Sequence, residues 1–275
     1  MNKEKNKKTF LLYILLVITL FLFVFSAYKV FDYFIAQKQA EESVSFLSDI
    51  AITQLTEVFD EAIIRTETLL PEEPENTVPS CPITVDFDAL KKQNNDIIAW
   101  IFSPDTVINY PIVQGKDNQY YVKRLTNKKW NIGGSLFLDF RNKADFSDKN
   151  SVIYGHNMTN NTMFGTIMDY SSQDYYDKHP YMYILTPEKT YCLELLTGFT
   201  TKSHSRVYEF PQSDEEKEKD VATWLERSDF TPKFEYESDS RLVTLSTCAE
   251  AYGSKRYVLI GALKEIKDNE TSAVK

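Results

Sequence analysis

The sequence predicts a mainly β domain, a closed or nearly closed barrel with inserted helices, behind one membrane-spanning helix. Three observations lead to this prediction. An uncharged apolar run stands near the N-terminus. Short β-branched or aromatic segments, bounded by turn residues, follow one another from about residue 83 to residue 266. Between these two regions the chain is acidic and rich in proline.

The apolar run extends over 19 residues, Phe10 to Tyr28, without a charge, glycine or proline. As a helix it would be about 28 Å long, close to the ~30 Å hydrocarbon core of a bilayer. Lysines at positions 3, 5, 7 and 8 precede it, and the positive-inside rule keeps that end in the cytoplasm. A cleaved signal peptide is the alternative, but its apolar region is usually shorter and ends at small residues. We therefore expect a cytoplasmic tail over residues 1–9, an uncleaved signal anchor over 10–28, and an extracellular remainder.

Residues 29–82 are predicted to form a helical stalk and an acidic linker. Apolar residues at Phe31, Phe34 and Ile35, and again from Leu47 to Phe59, recur near the helical period and indicate one or two amphipathic helices. Residues 66–82 hold four prolines and four glutamates. Such a segment has little apolar surface to bury, so we expect it to stay extended.

The charge of the chain excludes one class of function. The net charge is −9, and residues 41–80 alone carry ten acids against one base. The acidity therefore belongs to the stalk and linker, and the remainder of the chain is close to neutral. An acidic chain has no electrostatic reason to bind nucleic acid, so we expect no nucleic-acid partner. Three histidines and three cysteines without metal-ligand spacing predict neither a metal site nor a cofactor.

The barrel domain is predicted over residues 83–266, with a flexible tail at 267–275. A short helix follows Asp86, and a longer one at 213–227 begins with the capping-box pair Ser213 and Glu216. After a first β-rich segment starting at residue 97, the predicted strands are Val107–Val113, Ser135–Asp139, Ser151–Tyr154, Tyr181–Leu185, Tyr191–Phe199, Leu242–Thr247 and Tyr257–Leu263.

Cys248 is the first candidate for chemistry because it ends a strand whose alternate residues differ in polarity. Thr244, Ser246 and Cys248 share one face of that strand. Arg256 opens the next strand, so in a hairpin it would stand beside Cys248. A guanidinium there favours the thiolate and offers donors to an oxyanion. The alternatives are a small buried cysteine and an ordinary surface arginine.

A thiol nucleophile needs a group that moves protons, and His156 is best placed to do so. It follows a short strand and Gly155, whereas His179 and His204 lie in polar loops. Of the other cysteines, Cys192 fits a buried position and Cys81 lies in the linker. One disulfide between these two stays open as an alternative.

Thr244-Leu-Ser-Thr-Cys248 followed by Arg256, with Tyr154-Gly-His156-Asn upstream, resembles the sortases, the membrane-anchored cysteine transpeptidases of Gram-positive bacteria. The resemblance covers roughly residues 83–264. Ser246, the N-terminal helical extension and the helix at 213–227 are similar to class B. This resemblance implies a sortase-like closed β-barrel in which that helix also caps one wall of the substrate groove.

The resemblance also implies the mechanism and the partners. Cys248 would attack the carbonyl of Thr in an Asn-Pro-Gln-Thr-Asn-like sorting motif of exported proteins, with His156 as acid and base and Arg256 at the oxyanion. An amine of a peptidoglycan precursor or cross-bridge would resolve the thioester. Substrate-binding residues carried over are Ser246, Tyr154, Asn118 and Val122.

The sequence departs from the class B pattern after the cysteine, and its motifs are compatible with other functions. Class B sequences often have an acid directly after the cysteine, whereas here Ala249 precedes Glu250, which puts a role for that acid in doubt. The alternative functions are a pilus-type sortase, a thiol peptidase that hydrolyses the same kind of motif, and a membrane-tethered binding module without catalysis.

Overall fold

The computed structural model describes residues 2–54, 80–248 and 253–266, and of residues 2–6, 54 and 248 the backbone alone. Its first element is one continuous helix, α1 (Asn2–Ala51). Among the described residues, α1 is the one helix that is long and apolar enough to cross a membrane, and the side chains of its apolar stretch are exposed. The predicted anchor and the first part of the predicted stalk are therefore a single helix.

The C-terminal half of α1 packs against the barrel. Ala40 and Leu47 are buried there. The Asn131 amide donates to the Ala36 carbonyl at 2.8 Å, and the Tyr33 hydroxyl lies 2.7 Å from the hydroxyl of Thr159. Because these contacts begin only about 8 Å of helix beyond Tyr28, the barrel lies close to the end of the apolar stretch.

The helix prediction is wrong for residues 52–54. They form β1 (Ile52–Gln54), which pairs antiparallel with β2 (Ile83–Val85) in a two-stranded sheet. The rest of the predicted stalk and linker, residues 55–79, and the predicted tail lie outside the described residues. The predicted helix after Asp86 is α2 (Phe87–Gln93), and the Asp86 carboxylate caps it by accepting the Ala89 N–H at 2.9 Å.

The predicted closed barrel is confirmed. Eight strands close it in the order β10-β8-β7-β3-β4-β5-β6-β9. The strands are β3 (Ile97–Phe102), β4 (Asn109–Val113), β5 (Leu136–Leu138), β6 (Asn150–Tyr154), β7 (Tyr181–Leu185), β8 (Thr190–Lys202), β9 (Arg241–Cys248) and β10 (Lys255–Glu265). Most pairs are antiparallel, and the parallel pairs are β4 with β5 and β6 with β9. Each predicted strand is present, with ends that differ from the predicted ones by at most three residues.

The interior of the barrel explains the alternation along β9. Val243 and Leu245 are fully buried in the main core, whereas Thr244 turns the other way and bonds Asn150 at 2.9 Å. In the described part of the chain two α-helices are inserted between barrel strands, the short α3 (Gln173–Lys178) and α4 (Asp214–Leu225). The capping prediction for α4 is confirmed, because the Ser213 side chain accepts the Glu216 N–H at 3.2 Å.

Candidate active site

The barrel brings the predicted catalytic residues to one end of neighbouring strands. In the antiparallel pair of β9 and β10, Arg256 lies opposite Cys248. In the parallel pair of β6 and β9, Tyr154 lies opposite Ser246, and the Gly155 N–H bonds the Ser246 carbonyl at 3.0 Å. His156 and Cys248 each come two residues after that matched pair. The predicted hairpin is therefore confirmed, and the three residues stand at the same end of the barrel.

A cleft of about 460 Å³ opens at this end of the barrel. It is lined by His156, Arg256 and the four predicted substrate-binding residues, Asn118, Val122, Tyr154 and Ser246. The segment that carries Asn118 and Val122 connects β4 with β5, so residues more than 120 positions apart meet in this cleft. Cys248 is described by its backbone alone, and Ala249 and Glu250 lie outside the described residues.

The imidazole of His156 is half-buried and has a main-chain partner. Its Nε2 lies 2.7 Å from the carbonyl oxygen of Val122, so Nε2 carries the proton that it donates there. Gly134 makes this contact feasible, because a Cβ at that position would lie 2.4 Å from the same carbonyl oxygen. The sequence did not predict this role of Val122, whose carbonyl orients the histidine ring.

Arg256 is half-buried at the opposite side of the cleft. Its Nη1 donates to the carbonyl oxygens of Gly253 and Lys255 at 3.1 and 3.0 Å. These bonds tie the guanidinium to the turn that starts β10. The remaining N–H groups of the guanidinium are donors that a negative charge in the cleft can use.

Further residues of the cleft were missed by the sequence analysis. Arg141 follows β5 by three residues, and Tyr208 lies in the connection between β8 and α4. The Tyr208 hydroxyl lies 2.8 Å from the hydroxyl of Ser246, and its ring stacks on that of Tyr154 with 6.0 Å between centroids. Nothing in the local pattern marks Tyr208. For Arg141, the one available signal is its place just after a predicted strand.

The expectation that the helix at 213–227 forms a wall of the groove is not met. None of the described residues that line the cleft belongs to α4. Its buried apolar side chains, Val221 and Trp224, belong instead to a separate hydrophobic cluster that includes Phe199 and Ile260. The wall on this side comes from Ser203 and Tyr208, which precede the helix.

The remaining histidines and the two other cysteines lie away from the cleft, at a helix end, in a turn and in the core. His179 caps the C-terminal end of α3, and the His204 ring lies 3.0 Å from the Ser203 hydroxyl in a turn. Cys81 and Cys192 are buried and free, so the disulfide left open between them is absent from the described residues. Burial raises the pKa of the Cys81 thiol to about 11 and raises that of Cys192 further. Both thiols are therefore unsuited to nucleophilic attack at neutral pH.

Comparison with known proteins agrees with this geometry. A family model described as the sortase domain matches residues 101–264. The chain is a class B member of the sortase family. It is 31% identical over 186 residues to sortase B of Staphylococcus aureus, covering 66% of this chain and 75% of that protein. It is 34% identical over 182 residues to sortase B of Listeria monocytogenes, covering 63% and 72%.

Solved sortase B structures share the fold. The Staphylococcus aureus sortase B–substrate complex superimposes with a TM-score of 0.63 and 29% identity, over 66% of this chain and 85% of that one. A crystal structure of sortase B from B. anthracis, in complex with AAEK1, gives 0.67 and 27% identity, over 86% of this chain and 100% of that one. The chain is thus a sortase cysteine transpeptidase with the closed barrel of class B.

Proposed function

We propose that this sortase cleaves an Asn-Pro-Gln-Thr-Asn-like motif after Thr and joins exported proteins to a peptidoglycan amine through a thioester on Cys248. The observation that carries the proposal is the register at the end of β9. Cys248 lies opposite Arg256 on one side, and on the other side His156 follows two residues after Tyr154, which lies opposite Ser246. A nucleophile, a proton carrier and a cationic donor are the groups that acyl transfer by a thiol requires.

In the first half-reaction the Nδ1 of His156 takes the proton of the Cys248 thiol, and the sulfur attacks the Thr carbonyl. The C–N bond breaks, His156 gives its proton to the leaving amine, and Arg256 donates to the oxyanion that forms in between. In the second half-reaction the amine of the acceptor attacks the thioester, His156 takes its proton, and the C–S bond breaks. The Val122 carbonyl keeps the imidazole in one orientation through both steps, because it accepts the Nε2 proton.

The same proposal places α1 across the membrane. Its apolar stretch would span the bilayer once, with the lysine-rich N-terminus in the cytoplasm and the barrel on the extracellular face. A fusion of alkaline phosphatase after residue 54 tests this orientation, since that enzyme is active only outside the cytoplasm. An inactive fusion would contradict the proposed topology without touching the chemistry.

The chemistry is tested with the full-length protein in detergent micelles and its Cys248→Ala variant. Each is mixed with a quenched-fluorescent peptide library around Asn-Pro-x-Thr-x, with and without an added glycine or diaminopimelate-type amine. We expect cleavage by the parent alone, with mass spectrometry showing the amine joined after Thr. Cleavage that yields only the free acid in the presence of amine would favour a thiol peptidase. Turnover that does not depend on Cys248 would refute the proposed mechanism.

A further inference from the structure

A buried carboxylate lies directly beneath the cleft and holds several of its walls. Asp139 follows β5, and its side chain has no exposed surface. Its Oδ2 accepts three hydrogen bonds, from the Asn118 amide at 2.8 Å, the Arg141 guanidinium at 2.8 Å and the Tyr154 hydroxyl at 3.0 Å. Its Oδ1 accepts the Nε and backbone N–H of Arg141 at 2.9 and 3.0 Å. All three donor residues line the cleft.

The direction of these hydrogen bonds decides what the cleft offers to a ligand. The Tyr154 hydroxyl has one hydrogen and donates it to Asp139, so towards a ligand this hydroxyl can only accept. The Asn118 amide gives one hydrogen to Asp139, and its Oδ1 accepts the Phe140 N–H at 3.0 Å. One N–H of Asn118 is then left to donate. An acceptor and a donor are therefore anchored side by side on the same carboxylate oxygen.

The carboxylate is held in one charge state. Burial by itself would raise the pKa of Asp139, but the hydrogen bonds from Arg141 and Asn118 outweigh it and hold that pKa below its usual range. Arg141 is in turn fixed over the Phe210 ring, 4.4 Å from its centroid. The network thus keeps both its charge and its hydrogen-bond directions throughout the neutral pH range.

We infer that Asp139 is a positioning residue that presets the cleft for an extended peptide. It turns Tyr154 into an acceptor for a peptide N–H and Asn118 into a donor for a peptide carbonyl, the two groups that an extended backbone presents in alternation. Asp139 itself touches no substrate and acts through these two side chains. The inference rests on the proposed function, because that function places a peptide in the cleft.

The test measures binding separately from catalysis. Full-length Cys248→Ala, which cannot form the thioester, is titrated into a fluorescein-labelled Asn-Pro-Gln-Thr-Asn peptide and the anisotropy is recorded. The same titration is done with Asp139→Asn added. An amide at this position presents N–H groups to neighbours that are themselves donors, so the Tyr154 hydrogen turns away. We expect the Kd to rise about tenfold, the effect of one charge-assisted hydrogen bond.

A matched control and a reactivity measurement separate positioning from a general structural role. Asp148 also accepts two hydrogen bonds, from the Asn142 amide and the Lys143 N–H, but it does not line the cleft. Asp148→Asn is expected to leave the peptide Kd unchanged. In protein that retains Cys248, Asp139→Asn is expected to raise KM while the rate of Cys248 alkylation by iodoacetamide stays the same, since that reagent needs no peptide contacts.

The outcomes decide the inference in each case. A Kd for Asp139→Asn within twofold of its parent overturns it, and so does strict additivity of Asp139→Asn with Tyr154→Phe, because a group acting through Tyr154 must be coupled to it. If Asp139→Asn does not fold, Asn118→Ala and Tyr154→Phe take its place, and independent effects of these two contradict the shared anchor. Peptide binding that depends on Asp139 without turnover by the parent would keep the inference and refute the proposed function. Turnover by the parent together with an unchanged KM in Asp139→Asn would keep the proposed function and refute the inference.

Discussion

Gly134→Ala is the substitution with the most specific expected effect, because Gly134 stands against the carbonyl that orients His156. Gly134 has a φ of +59°, and a Cβ there would lie 2.4 Å from the Val122 oxygen. The left-handed conformation costs an alanine about 1–2 kcal/mol relative to glycine. Displacing the Val122 carbonyl also breaks its 2.7 Å contact with the imidazole, a net loss of about 1 kcal/mol. We expect the free energy of unfolding to fall by about 2–3 kcal/mol.

Two assays on the full-length protein check this expectation. For a domain of this size the melting temperature should drop by about 5–10 °C. With the ring no longer held, kcat/KM for a sorting-motif peptide should fall about tenfold, which corresponds to ~1.4 kcal/mol in the transition state. Gly133→Ala is the matched control. A Cβ at that position would lie 3.2 Å from its nearest neighbour, an oxygen of the Asn131 side chain, and the φ of Gly133 is not positive. It should change stability by less than about 1 kcal/mol.

The result that would refute this reasoning is a Gly134→Ala variant with the melting temperature and kcat/KM of the parent. A loss of stability without any loss of kcat/KM would show that the Val122 carbonyl does not hold the imidazole in the working enzyme. Equal effects of Gly133→Ala and Gly134→Ala would show that neither the positive φ nor the carbonyl contact matters.

Three further predictions concern stability and reactivity. Thr244→Val removes the hydroxyl that donates to the buried Asn150 side-chain oxygen. It should lower the free energy of unfolding by about 1–3 kcal/mol and leave KM unchanged. A shifted KM would contradict the assignment of Thr244 to the scaffold. Iodoacetamide at pH 7.5 should leave Cys81 and Cys192 unmodified by mass spectrometry, because both are buried with raised pKa values; labelling of either in folded protein would contradict this. Because the pKa of Asp139 is lowered in the fold, its stabilisation is present above the usual aspartate pKa of about 3.9 and is lost as the pH falls through the lowered value. The parent should therefore melt at a higher temperature than Asp139→Asn, by a difference that is constant near neutral pH and shrinks below about pH 4. A difference that stays the same down to about pH 2.5 would refute this prediction.

The sequence by itself determined the strands of the barrel and the candidate catalytic residues. Strand patterns are local, since alternation and turn residues act within a few positions, and this is why every predicted strand of the barrel is present. The pairing of Cys248 with Arg256 was also predictable, because a hairpin joins strands that are adjacent in the chain. The motif around Cys248, with His156 upstream, was enough to indicate the sortase family.

Contacts between distant segments were decided only by the tertiary structure. The strand at Ile52–Gln54 continues a helical pattern, and its pairing with Ile83–Val85 about thirty residues later is a long-range contact that periodicity does not encode. From the local sequence alone, Asp139 is a polar residue at the end of a predicted strand. Its role under the cleft appears only when the barrel brings Asn118 and Tyr154 to the same carboxylate oxygen. Local pattern sets the secondary structure, whereas the closure of the barrel sets which side chains meet.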